Sequence, residues 1–121
     1  MTSAEQPDLA WRAEVLAIVT GDDEYEAADA LLSLVYYDPD GVWLEGVLLG
    51  IIGDPGAAKL HYLAVVCLGH VARLHRAVDE QVTVPLLERL RADPKLGGVA
   101  ETALMDIDVH VRGDRTSKRD L

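Results

Sequence analysis

The feature that most constrains this chain is a pattern of apolar residues that occurs three times with a constant offset of 36 residues. In each copy an alanine is followed by apolar residues three, four and seven positions later. Because an α-helix has 3.6 residues per turn, these spacings place all four side chains on one face of a helix. The copies are Ala28, Leu31, Leu32, Val35; Ala64, Cys67, Leu68, Val71; and Ala100, Ala103, Leu104, Ile107. The pattern predicts three equivalent helices, one in each unit of a repeat.

A second helical segment precedes each of these helices, over residues 9–19, 42–52 and about 84–92. The turn and cap signals between the two helices of each unit are Thr20-Gly21-Asp22-Asp23, Gly53-Asp54-Pro55 and Asp93-Pro94. We expect Gly21 to end its helix in a left-handed conformation, and Pro85 to fall in a first helical turn, where proline is tolerated. No run of alternating polar and apolar residues predicts a strand. The predicted fold class is all-α, with three helical hairpins.

The length of 121 residues suits one compact domain. We place this domain at residues 1–111. Residues 112–121 consist almost entirely of polar residues, so we expect a C-terminal tail that is frayed or disordered.

The acidic residues are concentrated in the first half of the chain. The formal net charge is −10, so a phosphate backbone would repel the protein and we expect no nucleic-acid binding. Residues 1–58 contain twelve acidic residues against Arg12 alone, whereas residues 59–121 contain nine against ten basic ones. Two interpretations stay open: a solvated surface that keeps the protein soluble, or an acidic lobe that binds a partner with a basic surface.

The residue types that carry catalysis or bind metals do not have the spacings typical of such sites. The four histidines, His61, His70, His75 and His110, form no pair at positions i and i+4. Cys67 is part of the central apolar pattern, so we expect a buried and inert thiol. Neither a phosphate-binding loop nor a nucleophile elbow is present in the sequence. We therefore expect no enzyme activity, no metal and no cofactor.

The cysteine content and the apolar stretches predict a cytoplasmic location. A single cysteine cannot form an internal disulfide, and the N-terminal residues lack a basic flank followed by an apolar signal core. The most apolar stretch, residues 42–52, is far shorter than the roughly 20 residues of a membrane span. We expect no membrane partner.

The order of a helix, an Asp-Pro turn and a second helix with Ala-x-x-x-Leu-Gly resembles HEAT repeats over residues 9–110. The best copy, residues 48–74, contains Asp54-Pro55, Lys59 and Leu68-Gly69. The resemblance implies a short α-solenoid of about three HEAT-like hairpins, in which each unit packs only on its neighbours.

Two segments, residues 36–43 and 67–75, are similar to a group of small bacterial HEAT-like proteins. Some members of that group are immunity proteins encoded beside polymorphic or contact-dependent toxins. The resemblance implies a non-enzymatic interaction module that binds and neutralises a cognate toxin domain with a basic surface. The alternative is a structural or adaptor HEAT-like protein with no toxin partner.

The repeat register also brings polar and aromatic residues together, because equivalent positions of adjacent units lie side by side in a solenoid. Thirty-six residues separate Tyr37 from Arg73, and also His70 from Asp106. These pairs either tie neighbouring units together or belong to a partner-binding ridge. Trp43 is either a core residue or an interface residue. The predicted partner-binding residues are Tyr36, Tyr37, Asp38, Asp40, Trp43, His70 and Arg73.

Overall fold

The computed structural model describes residues 8–113, and no strand occurs in that range. The all-α prediction is therefore confirmed. The helices are α1 (Leu9–Val19), α2 (Glu24–Tyr37), α3 (Gly41–Ile52), α4 (Ala58–His75), α5 (Glu80–Leu90) and α6 (Gly97–Ile107). A 3-10 turn, Pro55–Ala57, precedes α4, and a π-helical turn, Asp108–Arg112, continues α6.

Aspartate side chains begin most of the helices. A helix start leaves backbone N–H groups without partners, and a carboxylate at the N-cap accepts hydrogen bonds from them. Asp93 has the same role ahead of α6, where it accepts from the N–H groups of Lys95 and Leu96. The N-cap aspartates are Asp8 of α1, Asp23 of α2, Asp40 of α3, Asp54 of the 3-10 turn and Asp79 of α5. Much of the acidic composition thus sets the helix boundaries.

Two local predictions are wrong. Gly21 does not take a left-handed conformation, since no glycine among residues 8–113 has a positive φ; the left-handed residue is Arg76, with φ 54°, at the end of α4. The third unit's first helix begins at Glu80 because Asp79 caps it there. Pro85 consequently lies in the second turn of α5. Proline has no N–H, so the carbonyl of Gln81 loses its helical hydrogen bond.

The two helices of the second pair pack against each other at a steep angle. The chain bends by 93° between α3 and the segment Pro55–His75. Asp54 sets this corner by accepting the N–H of Gly56, and His61 Nε2 donates to the carbonyl of Asp54 at 2.8 Å. Within residues 8–113 no single helix is long and apolar enough to cross a membrane, and α3 and α4 meet that criterion only together, across this bend.

Helix α4 lies at the centre of the molecule, where it packs against α2, α3 and α6. Its partners α2 and α6 also pack against the preceding helix of their own unit, α1 and α5 respectively. All three copies of the apolar pattern join one hydrophobic cluster. Nine of the twelve pattern residues are buried, whereas Ala28, Leu32 and Leu104 are half-buried. Only the central copy is buried completely, because α4 packs between α2 and α6.

The first two residues of the predicted tail, Arg112 and Gly113, are helical. Arg112 lies in the π-helical turn, and its Nε donates to Glu80 Oε1 at 2.6 Å. Arg112 is therefore part of the folded unit. The rest of the predicted tail, residues 114–121, lies outside the described residues.

Candidate functional site

Four polar and aromatic residues meet across α2, α4 and α6; we call them the His70 cluster (Tyr36, His70, Arg73 and Asp106). The ring centroids of Tyr36 and His70 are 5.5 Å apart, with the rings tilted by 42°. Arg73 follows His70 by one turn of α4, and its Nη2 donates to His70 Nδ1. His70, Arg73 and Asp106 line a groove of about 180 Å³ between α4 and α6. The cluster thus connects one helix from each unit.

Gly69 lets α6 approach the His70 cluster. A Cβ atom on Gly69 would lie 2.6 Å from Asp106 Oδ2 and 3.5 Å from the Cα of Ala103. Any side chain at this position would push the Asp106 carboxylate away from α4. The glycine of the Leu68-Gly69 pair is therefore required here because a larger residue would collide with Asp106.

His70 is held in its neutral form. Burial is the largest cause that lowers the pKa of His70, and the positive charge of Arg73 lowers it further, while Asp106 acts in the opposite direction. A guanidinium can only donate, so Nδ1 of His70 accepts and the ring proton is carried on Nε2. The cluster offers a partner an imidazole N–H, a phenol and a carboxylate.

A second group of residues, the Arg12 cluster (Arg12, Asp38, Asp40 and Trp43), fixes the loop between α2 and α3. Arg12 Nε and Nη2 donate to the two carboxylate oxygens of Asp38, both at 2.7 Å. The Arg12 guanidinium lies 3.9 Å from the centroid of a Trp43 ring, and 3.8 Å separates its Nη2 from Asp40 Oδ2. Arg12 and Asp38 are only 8% and 3% exposed, so the pair lies inside the fold.

The hydrogen bond to Asp38 is the main cause that raises the pKa of Arg12. Burial on its own raises the pKa of the Asp38 carboxyl. The hydrogen bond from Arg12, the one from the Asp40 backbone and the charge of Arg12 together outweigh burial and lower that pKa below 3.8. Both groups are therefore charged, and the pair is bidentate, which is the strong geometry for arginine and a carboxylate.

These contacts divide the seven predicted partner-binding residues. Tyr36, His70 and Arg73 come together in the His70 cluster. Asp38, which we expected at a partner-binding surface, is buried and paired with Arg12, so it serves the fold. Asp40 and Trp43 are half-buried in the same Arg12 cluster.

Tyr37 is 79% exposed, and Arg73 binds His70 and not the Tyr37 ring. The predicted approach of an arginine to an aromatic ring is therefore not seen for this pair. It occurs elsewhere in the described chain, where Arg12 lies over Trp43. The His70 and Asp106 pairing of the repeat register places both residues in one groove.

Sequence reasoning missed a buried carboxylate that joins the second and third units. Both oxygens of Glu45, on α3, accept the backbone N–H of Asp79, at 3.0 and 2.9 Å, and Oε2 accepts from Thr83 Oγ1 at 2.5 Å. Glu45 and Thr83 are 5% and 0% exposed. A glutamate inside the most apolar helix is the sequence signal for such a role. Arg12, the sole basic residue among twelve acidic ones, is the corresponding signal for the Arg12 cluster.

The remaining reactive groups are placed as follows. Cys67 is fully buried, which confirms that part of its prediction, and burial raises the pKa of its thiol to about 12. Over residues 8–113 no three His, Cys, Asp or Glu side chains converge on a possible metal position.

All four tyrosines of the chain are exposed. Tyr25, Tyr36 and Tyr37 on α2 are 86%, 53% and 79% exposed, and Tyr62 on α4 is 55% exposed. Eleven residues, or about three helical turns, separate Tyr25 from Tyr36 and also Tyr62 from Arg73, so each pair lies on one side of its helix. We call this side the α2–α4–α6 surface, formed by Tyr25, Tyr62 and the His70 cluster. Tyr37 adjoins it, about 100° further round α2 than Tyr36.

Comparisons of the chain with protein-family models, with curated proteins and with solved structures found no match.

Proposed function

We propose that this protein is a non-enzymatic interaction module, a short α-solenoid of three helix pairs whose α2–α4–α6 surface binds one protein partner. The observation that carries this proposal is the exposure of all four tyrosines. Large amphipathic side chains give contact area at a modest entropic cost, and tyrosine and arginine are enriched in binding hot spots.

The solenoid part of the proposal is supported by the way the helices pack. Helices α2, α4 and α6 contact one another in chain order, and each packs on the first helix of its own unit. The buried apolar pattern recurs at the same 36-residue step. This arrangement is the one in which neighbouring units bury a face that a single unit could not bury.

The charge beside the tyrosines favours a partner with a basic surface. Glu24, Glu26 and Asp29 on α2 are exposed, and α2 has no basic residue. Such a surface raises the rate of encounter with a cationic protein and disfavours an acidic one.

Together with the resemblance to small bacterial immunity proteins, these features lead us to propose that the protein acts in the bacterial cytoplasm as an immunity protein. It would bind and neutralise a cognate toxin domain. An adaptor that uses the same surface without a toxin partner is the competing function, and it predicts a different outcome in the same experiment.

The test is to co-express the protein with the C-terminal domain of a large secreted protein encoded directly upstream. We expect the domain alone to arrest growth, co-expression to restore it, and the two proteins to co-purify. Restored growth should be lost in Tyr36→Ala/Tyr37→Ala and kept in Val82→Ala, an exposed apolar residue on α5 that serves as the control. A domain that is harmless but still co-purifies would identify an adaptor. A toxic domain that is not neutralised would contradict the immunity function.

A further inference from the structure

A groove of about 460 Å³ lies between the first and second helix pairs, formed by other residues than the α2–α4–α6 surface. Its walls come from the end of α1, the start of α2, the second half of α3 and the start of α4. The apolar residues that line it are Val19, Ala27, Val47, Ile51, Ala57 and Leu60. The volume of this groove lies in the range of known binding sites.

Two glycines leave the backbone of α3 open, and one of them lines this groove. A Cβ atom built on Gly46 or on Gly50 meets no atom within 4 Å, and Gly50 lines the groove. Glycine inside a helix is less stable than alanine by about 0.5–1 kcal/mol. Gly69 has a reason within the fold, because Asp106 occupies the space of its Cβ. No atom of the described chain occupies that space at Gly46 and Gly50, which suits a close approach by another molecule.

The rim of the groove is acidic. Asp22 and Glu24 stand on one side and Asp54 on the other, against one basic residue, Lys59. All four are exposed. The rim thus complements an occupant with basic residues beside its apolar ones.

We propose that this groove binds an amphipathic α-helix of a partner protein, with its apolar face on Val47, Gly50 and Ile51 and with Lys or Arg residues against Asp22, Glu24 and Asp54. The residues that we expect the occupant to contact, Val47, Gly50 and Ile51, lie within α3, and N–H groups inside a helix are already paired. An extended segment would bring N–H and C=O groups that find no partner there, whereas a helix pairs its own. Apart from Glu24, whose charge also lies beside the tyrosines, this second docking surface uses other residues than the proposed function, and it does not depend on that function.

The test measures binding of a fluorescent synthetic helical peptide with leucine at positions i, i+3, i+4 and i+7 and lysine elsewhere. A scrambled peptide of the same composition separates helical docking from charge attraction. In the protein, Gly50→Leu fills the groove. Gly98→Leu is the matched control, because Gly98 lies on α6 and its Cβ also meets no atom within 4 Å.

We expect the amphipathic peptide to bind and the scrambled one to bind at least about tenfold more weakly. Gly50→Leu should weaken binding at least about tenfold, and Gly98→Leu by less than about twofold. Asp22→Lys/Glu24→Lys should also weaken it, and because both positions are exposed this variant decides the matter if Gly50→Leu unfolds. Tyr36→Ala/Tyr37→Ala should leave it unchanged.

Equal binding of the two peptides, or equal effects of the two glycine substitutions, would overturn the inference. So would a loss of peptide binding confined to the tyrosine variant, since the peptide would then occupy the α2–α4–α6 surface. If the wild-type protein bound anionic phospholipid vesicles and did not bind the peptide, the groove would be assigned to a membrane. That result would also contradict a protein helix as its occupant.

Discussion

Arg12 and Asp38 show how a single ion pair fixes the geometry of a loop that the sequence presents as an acidic surface. Breaking a buried pair by removing one partner leaves an uncompensated charge, which costs about 3–5 kcal/mol. We expect Asp38→Asn to lower the free energy of unfolding by that amount, measured by urea titration at neutral pH. Asp40→Asn is the control, because Asp40 is half-buried and caps α3, and asparagine caps a helix about as well as aspartate, so it should cost less than about 1 kcal/mol. Equal losses in the two variants would mean that the pair contributes nothing beyond local capping.

The same pair predicts an acid dependence. The pKa of the Asp38 carboxyl in the folded protein lies below the ordinary value of 3.8. The stability that Asp38 contributes is therefore complete above pH 3.8 and is lost as the pH falls through the folded pKa. Urea titrations below pH 3.8 should show Asp38→Asn approaching the wild type in stability. A gap between the two proteins that stays constant down to the acid transition would contradict this sign.

His70 predicts a second pH dependence, in a different range. Its folded pKa is lowered below 6.5, so the folded state binds a proton less readily than the unfolded state. Stability is therefore complete above pH 6.5 and decreases as the pH falls from 6.5 through the folded pKa. An NMR titration of the His70 ring should give a midpoint below 6.5. Arg73→Gln should raise that midpoint, because it removes a positive charge, and a lower midpoint in this variant would show that Arg73 does not act on His70.

At the scale of the helix, the central repeat position is the most sensitive to truncation. Leu68 is fully buried on α4, whereas Leu32 and Leu104 occupy the equivalent positions at half-buried sites. We expect Leu68→Ala to cost roughly 2–5 kcal/mol and the two outer substitutions to cost less. Urea unfolding of the three variants measures the order directly. A loss below about 1 kcal/mol for Leu68→Ala would contradict the repeat register.

The glycines of α3 and α4 predict opposite effects of one substitution. Gly46→Ala meets open space and should raise the free energy of unfolding by about 0.5–1 kcal/mol. Gly69→Ala should lower it, since its Cβ would lie 2.6 Å from Asp106. Thermal unfolding followed by circular dichroism compares the two. If both substitutions raised the thermal stability, Asp106 would be shown to move away from residue 69 at no cost.

The sequence predicts the helices better than the angles between them. The bounds of α1 match the prediction, and α3 begins one residue earlier, because aspartate caps and apolar spacing are local signals. The start of α5 is missed because Glu45, 34 residues before Asp79, helps to fix it. The 93° corner before α4 depends on how the Asp54 turn packs, which no periodicity encodes.

For the site, the sequence identifies residue types but not burial. Asp38 and Tyr37 are neighbours and both look like surface residues, yet one is paired inside the fold and the other is 79% exposed. Asp38 differs from Tyr37 because it pairs with Arg12, which lies 26 residues earlier in the chain. Nothing in the local sequence indicates that pairing.

Across the whole molecule, half of the acidic residues among residues 1–58 have a role in the fold. Capping and burial account for half of the twelve acidic residues: Asp8, Asp23, Asp40 and Asp54 as caps, and Asp38 and Glu45 inside the fold. The exposed acidic residues of α2 remain beside the tyrosines.

We expect Glu26→Lys/Asp29→Lys to slow association with a basic partner at low salt. The effect should become small at ionic strengths where the Debye length is shorter than about 10 Å, because salt then screens the charges. Stopped-flow association rates at several salt concentrations measure this effect, and rates independent of salt would leave the acids a role in solubility alone.

The central claim is that the exposed tyrosines of α2 bind the partner. The most direct measurement is the dissociation constant for the partner domain that the proposed function requires, with the wild type and with Tyr36→Ala/Tyr37→Ala, alongside circular dichroism of both proteins. The account predicts unchanged helicity and binding weakened by at least about 2 kcal/mol, or roughly thirtyfold, as for hot-spot residues. Unchanged affinity in a folded double variant would contradict it.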